Sequence, residues 1–252
     1  MDLSELRKDN TKGSPREITR LHSLSAFFPA HNEEENVERM CNALRIVLPN
    51  VTEDFEIIIV NDGSSDETGK IADRLVAEDE RIRVVHHERN LGYGAAIRSG
   101  INACKKEYLF FTDGDNQFDV SQLSLFVPLA FKHDGVIGFR LNRQDNFIRK
   151  ANAWAWNRLV QWMFGLKVRD IDCAFKLFHR RVFEQVQLES SGAMISTEML
   201  VRLKKNGYTL HEIGVLHSPR LAGKQTGANL QVILRAFKEL YNFYLKMRGE
   251  EE

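Results

Sequence analysis

The sequence predicts an α/β protein built on a mostly parallel central sheet flanked by helices. Three observations predict it. Short apolar strands alternate with helical stretches of roughly 10 to 16 residues, the signature of βαβ units. The strands are continuous apolar runs, as in a sheet covered on both faces. The first polar clusters, PAHNE, NDGSSD and DGDNQ, each fall where a strand stops, the edge at which such sheets bind ligands.

The elements follow in order. Residues 1–20 hold nine charged residues with Gly13 and Pro15, and read as a polar arm. LSAFFPA, from Leu24, is a short strand. In the helix that follows, Val37, Met40, Cys41, Leu44 and Val47 fall at helical spacing. FEIIIV is a β-branched second strand, and a second helix starts near Ser64 or Ser65 as N-cap. RIRVVHH, the helix GYGAAIRSGINACK and the strand EYLFFT complete the first half. Then come a helix over about 121–132, the strand GVIGFR, and an aromatic helix over about 154–164. CAFKLFHR and TLHEIGVLH are strands, and helices cover Ser196 to Lys205 and Asn229 to about Met247. No internal repeat or linker breaks residues 21–248, which read as one domain ending in an amphipathic helix.

Composition narrows the function. Lysine plus arginine equals aspartate plus glutamate at 35 each, which argues against nucleic acid as a partner. Cys41, Cys104 and Cys173 are far apart and read as reduced, buried thiols of a cytoplasmic protein. The opening MDLSELRKDN does not read as a signal peptide, and no apolar run approaches a membrane span.

The sharpest cluster is FFTDGDNQFD. Asp113 and Asp115 stand two residues apart at the end of a strand, and like charges that close need a counter-charge. Each can offer an oxygen to one hard cation such as Mg²⁺ or Mn²⁺. Gly114 leaves room for close approach, and Gln117 adds a carbonyl oxygen. An acidic loop is the plain alternative. Asn61, Asp62, Ser64, Ser65 and Asp66 can meet a base or ribose, or simply make a turn and cap. His31 reads as a pocket wall. Gly92 and Gly94 suggest a dinucleotide loop, but Ile97 stands where its third glycine belongs. Arg140, Arg143, Arg149 and Lys150 face only Asp145, and Arg220 and Lys224 share a loop with Gly223 and Gly227. These patches suit phosphate groups or a solvated face.

Taken together, FFPAHNEEENV, IIIVNDGSSDETG, NLGYGAAIRSG and FTDGDNQFD resemble the family 2 glycosyltransferases in order and spacing. GFRLNRQDNFIR, DIDCAFKLF, ISTEMLVRLKKNGY and PRLAGKQTGAN resemble its polyprenyl-phosphate branch, which includes dolichyl-phosphate mannose synthases. The similarity runs over about residues 23–245. It implies a GT-A fold and inverting transfer of a hexose from GDP-mannose or a UDP-hexose to a polyprenyl or dolichyl phosphate. It implies a divalent metal, Mg²⁺ or Mn²⁺, on Asp113 and Asp115 with Gln117. It places Pro29, Ala30, Asn32, Glu33 and Asp62 at the nucleotide, and Asp113 and Gly114 at the diphosphate. Arg220 and Lys224 would close over that diphosphate.

The resemblance also places Arg140 and Arg149 at the acceptor phosphate. Asp115 and Glu198 join them as catalytic residues, Glu198 orienting the donor sugar or, with a hydroxyl acceptor, serving as base. The chain departs from the family in carrying His31 where tyrosine is common, and Asp113-Gly114-Asp115 where mannose synthases usually read DAD. A lipid acceptor would make contact with the cytoplasmic face of a membrane, or with a membrane-anchored partner, useful. The stripe Leu230, Ile233, Leu234, Phe237, Leu240, Tyr241, Tyr244 and Leu245 suits that role or core packing. Three alternatives stand beside this reading: a sugar-hydroxyl acceptor, a sugar nucleotidyltransferase, whose Gly-rich N-terminal loop with Arg and Lys is missing here, and a non-catalytic nucleotide-sugar binder.

Overall fold

The computed structural model describes the backbone of residues 20–141, 147–219 and 230–249, and the side chains within 20–141, 154–219 and 237–249. The strands are β1 (Leu21–Ala30), β2 (Thr52–Asn61), β3 (Ile82–His86), β4 (Tyr108–Thr112), β5 (Gly135–Leu141), β6 (Phe175–His179) and β7 (Leu210–Leu216). They form one sheet in the order β3-β2-β1-β4-β6-β5-β7. The helices are α1 (Val37–Val51), α2 (Thr68–Glu78), α3 (Tyr93–Ala103), α4 (Leu123–Ala130), α5 (Phe147–Phe164), α6 (Val182–Gln185), α7 (Ile195–Lys205) and α8 (Leu230–Gly249).

The expected α/β class with a mostly parallel sheet is what forms. β6 alone among the described strands runs against its neighbours, β4 and β5. The apolar runs explain the core. Ile57 to Val60 and Leu109 to Phe111 are essentially inaccessible to solvent, as both sheet faces are covered. Phe175 of β6 packs edge-on to Phe110, ring centroids 4.7 Å apart, and lies against Phe126 of α4. Because β1 and β2 pair Ala30 with Asn61, their ends lie side by side. Phe27 pairs with Phe111, so β4 ends beside them.

Several local expectations shift. Neither Ser64 nor Ser65 caps α2. Glu67 is its N-cap residue, and Asp66 accepts the Thr68 N–H at 3.0 Å, because both serines face the neighbouring loop instead. The helix foreseen over 121–132 divides into a 3-10 turn, Val120–Gln122, capped by Asp119, and then α4. The four-residue α6 was not foreseen. On α8 the buried face is Leu240, Phe243 and Met247, while Phe237, Tyr241 and Leu245 are exposed, so the inward stripe is rotated from the expected one. The cause is packing of Phe243 against Phe164 of α5, ring centroids 5.4 Å apart. All three cysteines are buried and free, and burial pushes each thiol up to about 12. No helix among the described residues is long and apolar enough to cross a membrane.

α3 lies close on β1 because Gly100 has no side chain: a Cβ there would stand 2.2 Å from the buried Phe27 ring. Gly100→Ala should therefore lower stability by about 1–3 kcal/mol despite better helix propensity, since the ring has nowhere to move. Urea unfolding checks this, and an unchanged midpoint would mean the contact is slack.

Candidate active site

The loops after β1 and β2 are laced together. Asn32, at φ +56°, donates its N–H to Ser64 Oγ at 3.0 Å and accepts the Ser65 N–H on Oδ1 at 2.8 Å. Glu33 donates its N–H to Thr68 Oγ1, and its carboxylate accepts from Asn36 Nδ2. The Ala30 carbonyl accepts the Asp62 N–H at 2.9 Å, and His31 Nδ1 lies 2.8 Å from the Asp62 carbonyl. The expected nucleotide residues Pro29, Ala30, Asn32, Glu33 and Asp62 thus share one rim.

Asp62 is buried and organises the next loop. Its Oδ1 lies 2.6 Å from His87 Nδ1 and accepts the Leu91 N–H, while Oδ2 accepts the Gly92 N–H at 3.0 Å. His87 is held from its other nitrogen by Ser99 Oγ at 2.8 Å. Asp62 therefore fixes the entrance of α3. Gly92 and Gly94 serve packing there: a Cβ on either would stand 2.6 Å from a carbonyl oxygen of the Ser190–Ser191 segment. The Gly94 N–H donates to Ser191 O at 2.9 Å. Between these glycines, Tyr93 reaches the acid pair and donates its hydroxyl to Asp113 Oδ1 at 3.0 Å.

Asp113 directly follows the end of β4 and is half-buried. Burial, then the neighbouring Asp115, push its carboxyl up to about 7, against the opposing pull of Tyr93, Arg140 and Lys176. Tyr93 in turn is held well above its ordinary range by burial and by Asp113. Gly114 lets the turn pass β1, since a Cβ there would stand 2.6 Å from the Pro29 carbonyl. Asp115 accepts the Gln117 N–H at 3.1 Å. Gln117 donates its side-chain amide to the Ser218 carbonyl and accepts the Ser218 N–H on its backbone carbonyl, tying this turn to the segment after β7.

Two neighbouring carboxylates, Asp113 with its proton affinity raised by burial and by Asp115, suit a hard divalent cation, which takes oxygen ligands and fills its shell with water and phosphate oxygens. Among the described residues no three His, Cys, Asp or Glu side chains converge as a metal cage. The pair would hold such an ion in company with a diphosphate.

Arg140, at the end of β5, grips Asp170 in a two-pronged pair with both contacts at 2.7 Å. Burial would lower its proton affinity, but Asp170 more than offsets that and holds the guanidinium charged. Lys176 of β6 is fully buried, donates to the carbonyls of Ile171 and Cys173, and lies over the Phe111 ring at 5.5 Å. Burial lowers its ordinary affinity for a proton. Glu198, on the first turn of α7, accepts the N–H groups of Glu189 and Ser190 and the Arg202 Nε. It thereby shapes the 189–191 segment that meets α3, and is not drawn up to the acid pair by any of these bonds. Arg149 lies on α5 with its side chain outside the described residues, as are Arg220 and Lys224 altogether.

The fold and this geometry can now be compared with known proteins. Residues 25–187 match the family profile described as "Glycosyl transferase family 2". The chain belongs to that family. It is 33% identical over 210 residues to the glycosyltransferase AglD of Haloferax volcanii, covering 78% of this chain and 33% of that protein. It is 31% identical to the dodecaprenyl-phosphate galacturonate synthase of Rhizobium johnstonii, over 66% of this chain and 50% of that one. With the polyprenol monophosphomannose synthase of Mycolicibacterium smegmatis it shares 26% identity over 92% of this chain and 91% of the relative. The chain thus spans a third to under two thirds of several curated relatives and nearly all of another. Glucosyl-3-phosphoglycerate synthase from Mycobacterium tuberculosis, solved with Mn²⁺ and UDP-glucose, superposes with TM-score 0.66 at 17% identity, over 90% of this chain and 79% of that one. That likeness carries the GT-A fold.

Sequence reading passed over Tyr93, His87, Asp170 and Lys176. Lys176 had a signal, a cation inside the apolar run CAFKLF. Tyr93 had none, because only the turn at Gly92 aims it at a strand end.

The acid pair sets a pH dependence. An aspartate near 3.8 when unfolded and about 7 when folded destabilises the fold once ionised. In metal-free protein this contribution is absent below pH 4, grows as pH rises from 4, and is complete above 7. Asp113→Asn should remove it, so the variant gains on the wild type as pH rises through that window. Paired melting curves at pH 4.5 and 8 without divalent ions measure this, and parallel pH profiles would refute the assignment.

Proposed function

We propose that this family 2 glycosyltransferase moves a hexose from a nucleotide-diphospho-sugar to a polyprenyl phosphate, with inversion at the anomeric carbon. The observation that carries it is the half-buried Asp113–Asp115 pair at the end of β4, beside the rim formed by the loops after β1 and β2. Relatives named for dodecaprenyl, undecaprenyl and polyprenol phosphates support the acceptor class.

The nucleotide binds along the rim of Pro29, Ala30, Asn32 and Glu33, where the lacing of the two loops fixes its walls before any ligand arrives. Asp62 keeps the floor rigid by holding Leu91 and Gly92. Asp113 and Asp115, with Gln117 nearby, would hold Mg²⁺ or Mn²⁺, and Mn²⁺- or Mg²⁺-bound structures of the solved glucosyltransferase support that reading. The ion's chemistry is neutralisation of the diphosphate as it leaves. Tyr93 fixes which Asp113 oxygen stays with the protein.

An acceptor phosphate oxygen attacks C1, the C1–O bond to the diphosphate breaks, and the nucleoside diphosphate departs. Arg140 and Arg149 align that phosphate, with Arg140 locked by Asp170 so that it meets the acceptor with its remaining edge. The resemblance assigns Arg220 and Lys224, which lie outside the described residues, to the diphosphate. A phosphate monoester is already anionic, so no strong base is needed. Glu198 supports this, since its carboxylate accepts three N–H groups and supports the 189–191 segment.

The test is ligand protection. UDP, GDP and their sugars are scanned with and without Mn²⁺ for a rise in melting temperature, since a ligand at 100 times its Kd adds about 2.7 kcal/mol. At least one donor should raise it in a Mn²⁺-dependent way, and Asp115→Ala should abolish that part while still melting cooperatively. If no nucleotide stabilises the chain, the reading fails. A hydroxyl acceptor instead would make Glu198→Gln inactive and leave Arg149→Ala harmless, where a phosphate acceptor requires Arg149.

A further inference from the structure

α5 carries a surface that the transfer reaction does not use. All three tryptophans of the chain, Trp154, Trp156 and Trp162, lie on it. Residues 146–169 contain Arg149, Lys150, Arg158, Lys167 and Arg169 and no acidic residue, in a chain whose net charge is zero. Trp156 is turned inward, with its ring 5.5 Å from Phe237 of α8, and Val160 is fully buried. Trp154 and Trp162 are on the opposite side, 67% and 83% exposed, with exposed Arg158 between them.

Residues 154, 158 and 162 are successive fourth residues, so they form one ridge of roughly 12 Å along the helix. An indole left four-fifths in water is unusual for a protein surface, where large apolar groups that close together mark a contact site. Indole rings flanked by arginine and lysine, with no acid, match the interface of an anionic bilayer, where the ring sits at headgroup level and the cations meet phosphates. A protein partner would be matched by mixed charge. Position agrees: the five residues 142–146 join α5 to the end of β5, which carries Arg140.

We propose that α5 docks the chain flat on an anionic membrane surface through Trp154, Arg158 and Trp162. This rests on the lipid-phosphate reading for its purpose but is tested apart from it. The expected stripe on α8 is then secondary, since its inward residues pack beneath α5 and in the core.

The test is co-sedimentation of the full chain with vesicles of phosphatidylcholine, alone or containing about 30% phosphatidylglycerol, at low and high salt. Wild type should bind the anionic vesicles and weaken with salt. Trp154→Ala/Trp162→Ala should lower the apparent affinity roughly 10-fold or more, as expected for withdrawing two interfacial rings, and Arg158→Glu should lower it severalfold. Both substituted surfaces are exposed, so melting temperature should hold. Unchanged binding by the double variant, or no binding by wild type, overturns the proposal. So does a self-association that the double variant abolishes while vesicle binding persists, because the ridge would then belong to a second copy. Donor-dependent melting shifts, read in the same proteins, report on the nucleotide site separately: a missing donor shift with intact vesicle binding faults the transfer reading and leaves the docking surface standing.

Discussion

Asp113 is an acid that the fold half-buries beside a second one, and much of the described structure around it follows from that constraint. A carboxylate enclosed beside a second carboxylate is unfavourable unless opposing groups are supplied. Three elements supply them. α3 brings the Tyr93 hydroxyl, β5 brings Arg140 and β6 brings the buried Lys176. The antiparallel direction of β6 matters here. It makes β6 start at the edge where β4 ends, so that Asp170, which precedes the strand, lies there and can lock Arg140.

The sheet was legible because its physics is local in sequence. Buried parallel strands need continuous apolar runs, and EIIIV and YLFFT can hardly be anything else. The strand ends were legible for the same reason, since polar clusters interrupt those runs. The direction of β6 was not, because CAFKLF reads the same whether it pairs parallel or antiparallel. The start of α2 was misplaced because two serines offered themselves as caps. Their actual role depends on Asn32, some thirty residues away, and nothing local encodes it.

Within the site, residue types were more legible than their engagements. Asp113 and Asp115 declare themselves by spacing. Asp62 and Arg140 read as ligand contacts, yet each turns out to hold protein: Asp62 accepts from His87 and two backbone N–H groups, and Arg140 holds Asp170. A charged group buried with its hydrogen bonds satisfied is rigid, and a rigid wall can meet a ligand without reorganising. Glu198 is the extreme case, almost inaccessible and bound to a loop rather than aimed at the cleft.

The segment GYG shows why these supports cannot be separated. Three consecutive residues serve three different sites. The Gly92 N–H is taken by Asp62, the Tyr93 hydroxyl by Asp113, and Gly94 lies against Ser190 and Ser191, which Glu198 shapes from below. A shift of α3 by a fraction of an ångström would disturb all three together, because hydrogen bonds at 3.0 Å tolerate little displacement. The rim of the loops after β1 and β2, the acid pair and the α7 segment are therefore coupled through one helix entrance. The glycines make that coupling sterically feasible: with a Cβ at 92 or 94 the segment could not close, and Tyr93 would lose its line to the acid. The resemblance of this stretch to a dinucleotide fingerprint comes from a shared need for close backbone approach, here to another part of the same chain.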